Sequence, residues 1–194
     1  MAGLPEPLTP EAWRLFVAVP LPLALRAALA EQLAPLQGSA PEGIRWTDPA
    51  SWHVTLAFLG DTDPGRVPDL VAALRTAVAP LPAFTAQIGG LGVFPNPGTA
   101  RVVWLGVDGG DALRHLAAVV ADACGIDRAE PFRAHLTVAR LRRRTSPPCL
   151  DGEAQRVRRS LPVREVRLMR SRAGARQTRY VVLDNAPLLA TDVG

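Results

Sequence analysis

Lysine is absent from this chain of 194 residues, so all 22 of its basic side chains are arginine. Cysteine is nearly absent as well: Cys124 and Cys149 are too few for a disulfide framework, and neither has a metal-like spacing. Aromatic residues make up only 5% of the chain. No run of about 18 uncharged apolar residues occurs, which argues against a membrane span. Met1 to Ala12 carries acidic residues and prolines, not a basic start followed by an apolar stretch, so a secretion signal is not expected. Histidine is scarce, with three residues, no His-Glu-x-x-His and no carboxylate cluster beside them. No metal and no cofactor are therefore expected. What these absences leave is a reduced, cytoplasmic, globular protein, and 48% hydrophobic residues suffice for a core. The 19 prolines and 16 glycines predict many short elements joined by turns.

The arginines are unevenly placed. Before residue 128 there are 7 against 12 acidic residues, and from Arg128 onward 15 against 6. GC-rich coding would explain why the cations are arginine, but not why they crowd into one half. A planar guanidinium can grip two phosphate oxygens at once, so that half suits a nucleic acid or another phosphorylated partner.

Periodicity predicts a strand over Arg14 to Val19, then a helix from Pro22 to about Leu36 with Leu25, Ala28, Leu29 and Leu33 on one stripe. A short strand at Ile44 to Trp46 and a longer one from Trp52 to Leu59 follow, then a turn over Gly60 to Pro64 and a helix from Val67 to Val78. Phe84 to Phe94 and Arg101 to Val107 read as strands, and Asp111 to Cys124 as a helix stopped by Gly125. Arg133 to Leu141 is extended, a basic helix is expected over roughly Gly152 to Leu161, and strands at Val163 to Arg170 and Thr178 to Leu183 close the chain. The halves repeat one rhythm. The fold class expected is α+β, with two sheet-plus-helices lobes in a pseudo-twofold, bilobal arrangement around a central cleft. Residues 1–194 would form one such domain, with 1–12 as an extension and 186–194 as a tail.

Two of the three histidines share a tripeptide frame, His53-Val54-Thr55 and His135-Leu136-Thr137, 82 positions apart. Two such coincidences among three histidines arise by accident in about one sequence in a hundred. On a strand, residues i and i+2 share a face. Each frame would then set an imidazole beside a hydroxyl, with Val54, Leu56 and Phe58, or Leu136 and Val138, turned into the core. Folding the halves together would bring His53 and His135 across a cleft. One neutral imidazole can take a proton from water while an imidazolium gives one to a departing oxygen, and an ordinary pKa near 6.5 keeps both forms accessible. Thr55 and Thr137 would hold the phosphate oxygens. An arginine would add charge stabilisation where the transition state is most negative. Among other candidates, His115 reads as a surface residue, and Trp46, Trp52 and Trp104 as packing residues that could otherwise stack on a base. Arg142 to Arg144 suit either a backbone contact or a solvated loop.

The chain resembles the two-histidine phosphoesterases, most closely the bacterial RNA 2′,3′-cyclic phosphodiesterases once described as 2′-5′ RNA ligases. Besides the two frames, the resemblance is carried by Arg14-Leu15-Phe16-Val17-Ala18-Val19, Phe58-Leu59-Gly60 and Gly90-Leu91-Gly92-Val93-Phe94-Pro95. It continues through Val103-Trp104-Leu105-Gly106-Val107, Pro131-Phe132-Arg133, and Ser171-Arg172 before Tyr180. Ala134 stands where the family often has proline. The resemblance implies metal-independent opening of a terminal 2′,3′-cyclic phosphate to a 2′-phosphate in a positively charged groove. It makes His53 the acid for the 3′-oxygen and His135 the base for water; the residues alone do not distinguish the two roles. It also makes Thr55 and Thr137 phosphate ligands and Arg140 an extra clamp, although five residues past His135 the Arg140 side chain should point to the other strand face, where a surface ion pair is the alternative. Substrates would be RNA 3′ ends or nucleoside 2′,3′-cyclic phosphates, with no membrane partner and a monomeric protein. Two alternatives stay open: reversible 2′-5′ ligation and cleavage at the same site, and a phosphate-gripping RNA-end module without turnover.

Overall fold

One curled antiparallel sheet is built from β1 (Trp13–Pro20), where Leu15 to Val19 are all buried, from β4 (Phe84–Phe94) and β5 (Val102–Asp108), where burial largely alternates, and from β3 (His53–Thr62) and β6 (His135–Leu141), where it alternates over the first four residues. The structure is a computed structural model and describes residues 11–127, 131–142, 147, 157–174 and 178–190. β7 (Arg158–Val163), β8 (Glu165–Arg172) and β9 (Arg179–Pro187) complete the strand order β7-β4-β5-β6-β3-β1-β8-β9, and the short β2 (Ile44–Trp46) also pairs with β6. The two expected sheets are thus continuous. They meet where β3 and β6 run antiparallel through a single register pair, Val54 with Leu136.

Among the described residues, three α-helices cover the core. In α1 (Leu23–Gly38), Leu25, Leu29 and Leu33 recur every four residues and are buried, each burial stabilising by roughly 1.5–3 kcal/mol. α2 (Val67–Val78) buries Leu70, Leu74 and Val78, and α3 (Gly110–Ala123) buries Leu113, Leu116, Ala117, Val120 and Ala121. α3 stops as its sequence predicts. Gly125 takes φ 67°, so its N–H reaches the Asp122 carbonyl at 3.0 Å while Ile126 N–H reaches Ala121 at 2.9 Å. This pair of bonds satisfies the last orphan carbonyls.

Four local expectations need correction. The segment read as a basic helix is, from Arg158 onward, strand β7, where Leu161 and Val163 are buried at period two and Phe84 to Gly89 offer a free edge to pair. Residues 152–156 of that segment lie outside the described residues. Gly60 to Thr62 do not turn: they continue β3 because Leu15, Arg14 and Trp13 pair with them, and the turn waits until Asp63. Ala186 and Leu188 are buried, and Leu189 exchanges backbone hydrogen bonds of 2.8 Å with Leu81 and Ala83, so residues 186–190 belong to the packed fold and not to a tail. Residues 191–194, like most of the expected N-terminal extension, Arg143, Arg144 and Cys149, lie outside the described residues. The fourth correction, to the strand face expected of Phe58 and Arg140, is made below.

Candidate active site

The Val54–Leu136 pair is the geometric centre of the site. In an antiparallel ladder its neighbours place position 53 opposite 137 and position 55 opposite 135. Each histidine therefore sits across from the other frame's threonine. All four side chains line one cleft of about 490 Å³. Val54 and Leu136, which point the other way, are fully buried.

Both frames are followed by the same irregularity. In β3, Ala18 faces Thr55 but Val17 faces Ala57, so Leu56 is an extra residue. In β6, Trp104 faces Thr137 but Val103 faces Ala139, so Val138 is extra. A bulge of this kind shifts the alternation by one. Leu56 and Ala57 are both buried, as are Val138 and Ala139, and the fifth residue after each histidine returns to the cleft. Those residues are Phe58 and Arg140. The expected parity thus fails at both positions. Arg140 lines the cleft, whereas Phe58 does not enter the core but stands 69% exposed on the cleft wall.

Each imidazole is tied to its own chain in the same way. His53 Nδ1 lies 2.7 Å from the Ser51 carbonyl oxygen, and His135 Nδ1 lies 2.8 Å from that of Arg133. A carbonyl only accepts, so Nδ1 carries a proton in both rings and Nε2 is the nitrogen left for chemistry. Aromatic rings hold the imidazoles in place. Phe16 and Tyr180 lie 4.9 and 5.0 Å from His53, and Phe94 stands edge-on to His135 at 5.0 Å. The Arg133 guanidinium rests on Phe94 and Trp104 at 5.0 and 4.7 Å.

A family model described as LigT like Phosphoesterase matches residues 21–104. The RNA 2′,3′-cyclic phosphodiesterase of Thermus thermophilus is 34% identical over 190 residues, 90% of each chain. That of Archaeoglobus fulgidus is 35% identical over 134 residues, 68% of this chain and 74% of the relative. The chain belongs to the LigT-like, two-histidine phosphoesterases. The relative from Geobacillus stearothermophilus, 35% identical, is matched over only 41% of its own length. Among solved structures, TT0787 of Thermus thermophilus superposes with a TM-score of 0.73 at 31% identity, covering 91% of this chain and 98% of that one. Escherichia coli LigT complexed with 3′-AMP gives 0.70 at 28% identity, covering 92% and 98%.

In this LigT-like phosphoesterase the charge balance of the cleft is one-sided. Arg14 and Arg140 line it beside the histidines, and among the described residues no carboxylate does. Burial lowers the pKa of His53 most; the Ser51 carbonyl opposes this, and the charges of His135, Arg26 and Arg140 lower it further. Burial likewise lowers His135, opposed by the Arg133 carbonyl and assisted by the Arg133 charge. Among the described residues, no group of three or more His, Cys, Asp or Glu side chains is placed to hold a metal ion, and no helix is long and apolar enough to cross a membrane.

Several cleft residues of this phosphoesterase escaped the sequence reading. Thr47 is one. Its Oγ1 donates to the carbonyls of Val138 and Thr137 at 2.9 and 3.1 Å and accepts from Trp52 Nε1 at 2.8 Å, strapping the β6 bulge to the start of β3. Tyr180, Ser171 and Arg14 form another set, aligned across β9, β8 and β1 by register. Only the cross-strand pairing makes them neighbours, although Arg14, Ser171 and Tyr180 did stand among the residues carrying the family resemblance. His115 is exposed on α3, and Trp46, Trp52 and Trp104 do not line the cleft.

Proposed function

We propose that this protein hydrolyses the terminal 2′,3′-cyclic phosphate of RNA to a 2′-phosphate, with His53 and His135 as its acid and base. The observation that carries the reading is the pair of Nδ1-anchored imidazoles lining one cleft without a carboxylate among its described residues. The names of the relatives support it too. His135 Nε2 takes a proton from water, the water oxygen bonds to phosphorus, the bond from phosphorus to O3′ breaks, and His53 Nε2–H protonates the leaving oxygen. Each transfer contributes roughly 10²–10⁴ in rate. Thr55 and Thr137 donate hydroxyls to the non-bridging oxygens, and Arg140 stabilises the charge that grows on them. Phe58, with Phe16 at 6.3 Å, offers rings to the terminal base. The chemistry draws on no metal.

Incubation with a nucleoside 2′,3′-cyclic phosphate in excess chelator tests the reading. Full activity and 2′-phosphate as the sole product are expected. A 3′-phosphate product, or activity lost to the chelator, overturns it.

A further inference from the structure

Beside His53 the cleft opens into a side chamber of about 150 Å³. It shares Ser51, His53 and Tyr180 with the main cleft and is walled beyond them by Arg26 of α1 and Arg167 of β8. Register places Arg167 opposite Ala18, which in turn faces Thr55, so it belongs to the same sheet row as the first frame. Each guanidinium is pinned along one edge. Arg26 Nη1 donates to the Ala50 carbonyl at 2.9 Å, and Arg167 gives Nε and Nη2 to Glu165 at 2.8 and 2.7 Å. Arg26 Nε is buried with no hydrogen-bond partner among the described residues. The two cations also feel each other: the pKa of Arg26 is lowered first by burial and then by the charge of Arg167, against an opposing pull from Asp48. An anion between them would relieve that repulsion and accept charge-assisted hydrogen bonds from both.

We propose that this chamber is an anion subsite for the phosphodiester immediately 5′ of the cyclised ribose, gripped by Arg26 and Arg167. The proposal rests on the hydrolase reading: with His53 protonating O3′, the ribose lies on the His53 side of the phosphorus, and its 5′ chain leaves on the side where the chamber opens. Oligonucleotide ends, not mononucleotides, are then the preferred substrate class.

Calorimetric binding of uridine 2′-phosphate and of the dinucleotide UpU bearing a 2′-phosphate tests this without requiring turnover. The unaltered protein should bind the dinucleotide about tenfold more tightly, a difference of about 1.4 kcal/mol. Arg26→Gln combined with Arg167→Gln should abolish that preference and leave the mononucleotide Kd within about twofold. The salt dependence of dinucleotide binding should become shallower by about 0.7 per lost phosphate contact. Arg167→Gln alone keeps the Arg26–Ala50 contact and should lose roughly threefold on the dinucleotide only. Equal weakening of both ligands, or an unmoved dinucleotide Kd in both variants, overturns the subsite. Failure of the hydrolase reading would show separately, as binding of both ligands without opening of a cyclic phosphate.

Discussion

Replacing Thr47 by valine removes one hydroxyl with little change of shape, and the structure gives that hydroxyl two duties. It donates to the Val138 carbonyl at 2.9 Å and accepts from Trp52 Nε1 at 2.8 Å. Trp52 is only 2% exposed, so its N–H would be left buried without an acceptor, costing roughly 1–3 kcal/mol. The lost bond to Val138 adds roughly 0.5–1.5 kcal/mol, because the Thr47 backbone N–H still reaches that carbonyl at 2.9 Å. A total of roughly 1.5–4.5 kcal/mol corresponds to a fall in Tm of roughly 3–18 °C for a chain of this size. The bulge at Val138 also aims Thr137 and Arg140, so kcat/KM on a nucleoside cyclic phosphate should fall roughly tenfold or more. Thr47→Ser retains the hydroxyl and should restore both quantities to near the starting values. Differential scanning calorimetry and steady-state kinetics make the comparison. A Thr47→Val protein with Tm within about 2 °C of the parent and unchanged kcat/KM would refute the strap.

His53→Ala and His135→Ala should each lower kcat by roughly 10²-fold or more, as measured by product formation; near-parental turnover in either would remove that residue from the mechanism. Both imidazoles have pKa values lowered from the usual 6.5, so the bell-shaped profile of kcat/KM should peak below that value; a maximum on the alkaline side contradicts paired imidazoles. The same shifts affect stability. Below 6.5 the unfolded chain binds more protons than the folded one, so stability contributed by the neutral rings is lost as pH falls toward their folded pKa values. Thermal unfolding across that window should show Tm falling with pH, and less steeply when both histidines are replaced by asparagine. Arg140→Gln should lower kcat for the cyclic phosphate roughly tenfold or more; an unchanged kcat would remove Arg140 from transition-state stabilisation.

The amino-acid pattern by itself determined the three α-helices of the described residues, most of the strands and the two frames. Leu25, Leu29 and Leu33 write a helical stripe, Gly125 writes its neighbour's C-terminal stop, and His53 with Thr55 and His135 with Thr137 share a strand face whatever the partner strand. These are local properties, set by 3.6- and 2-residue periods. Tertiary structure alone decided the rest. Whether Phe58 and Arg140 reach the cleft depends on bulges at Leu56 and Val138, and a bulge exists only relative to the strand across from it. The meeting of the frames rests on one cross-strand pair between residues distant in sequence, and β7 is a strand because β4 had an open edge to fill. Pairing energy is exchanged between segments, so no window of the chain contains it.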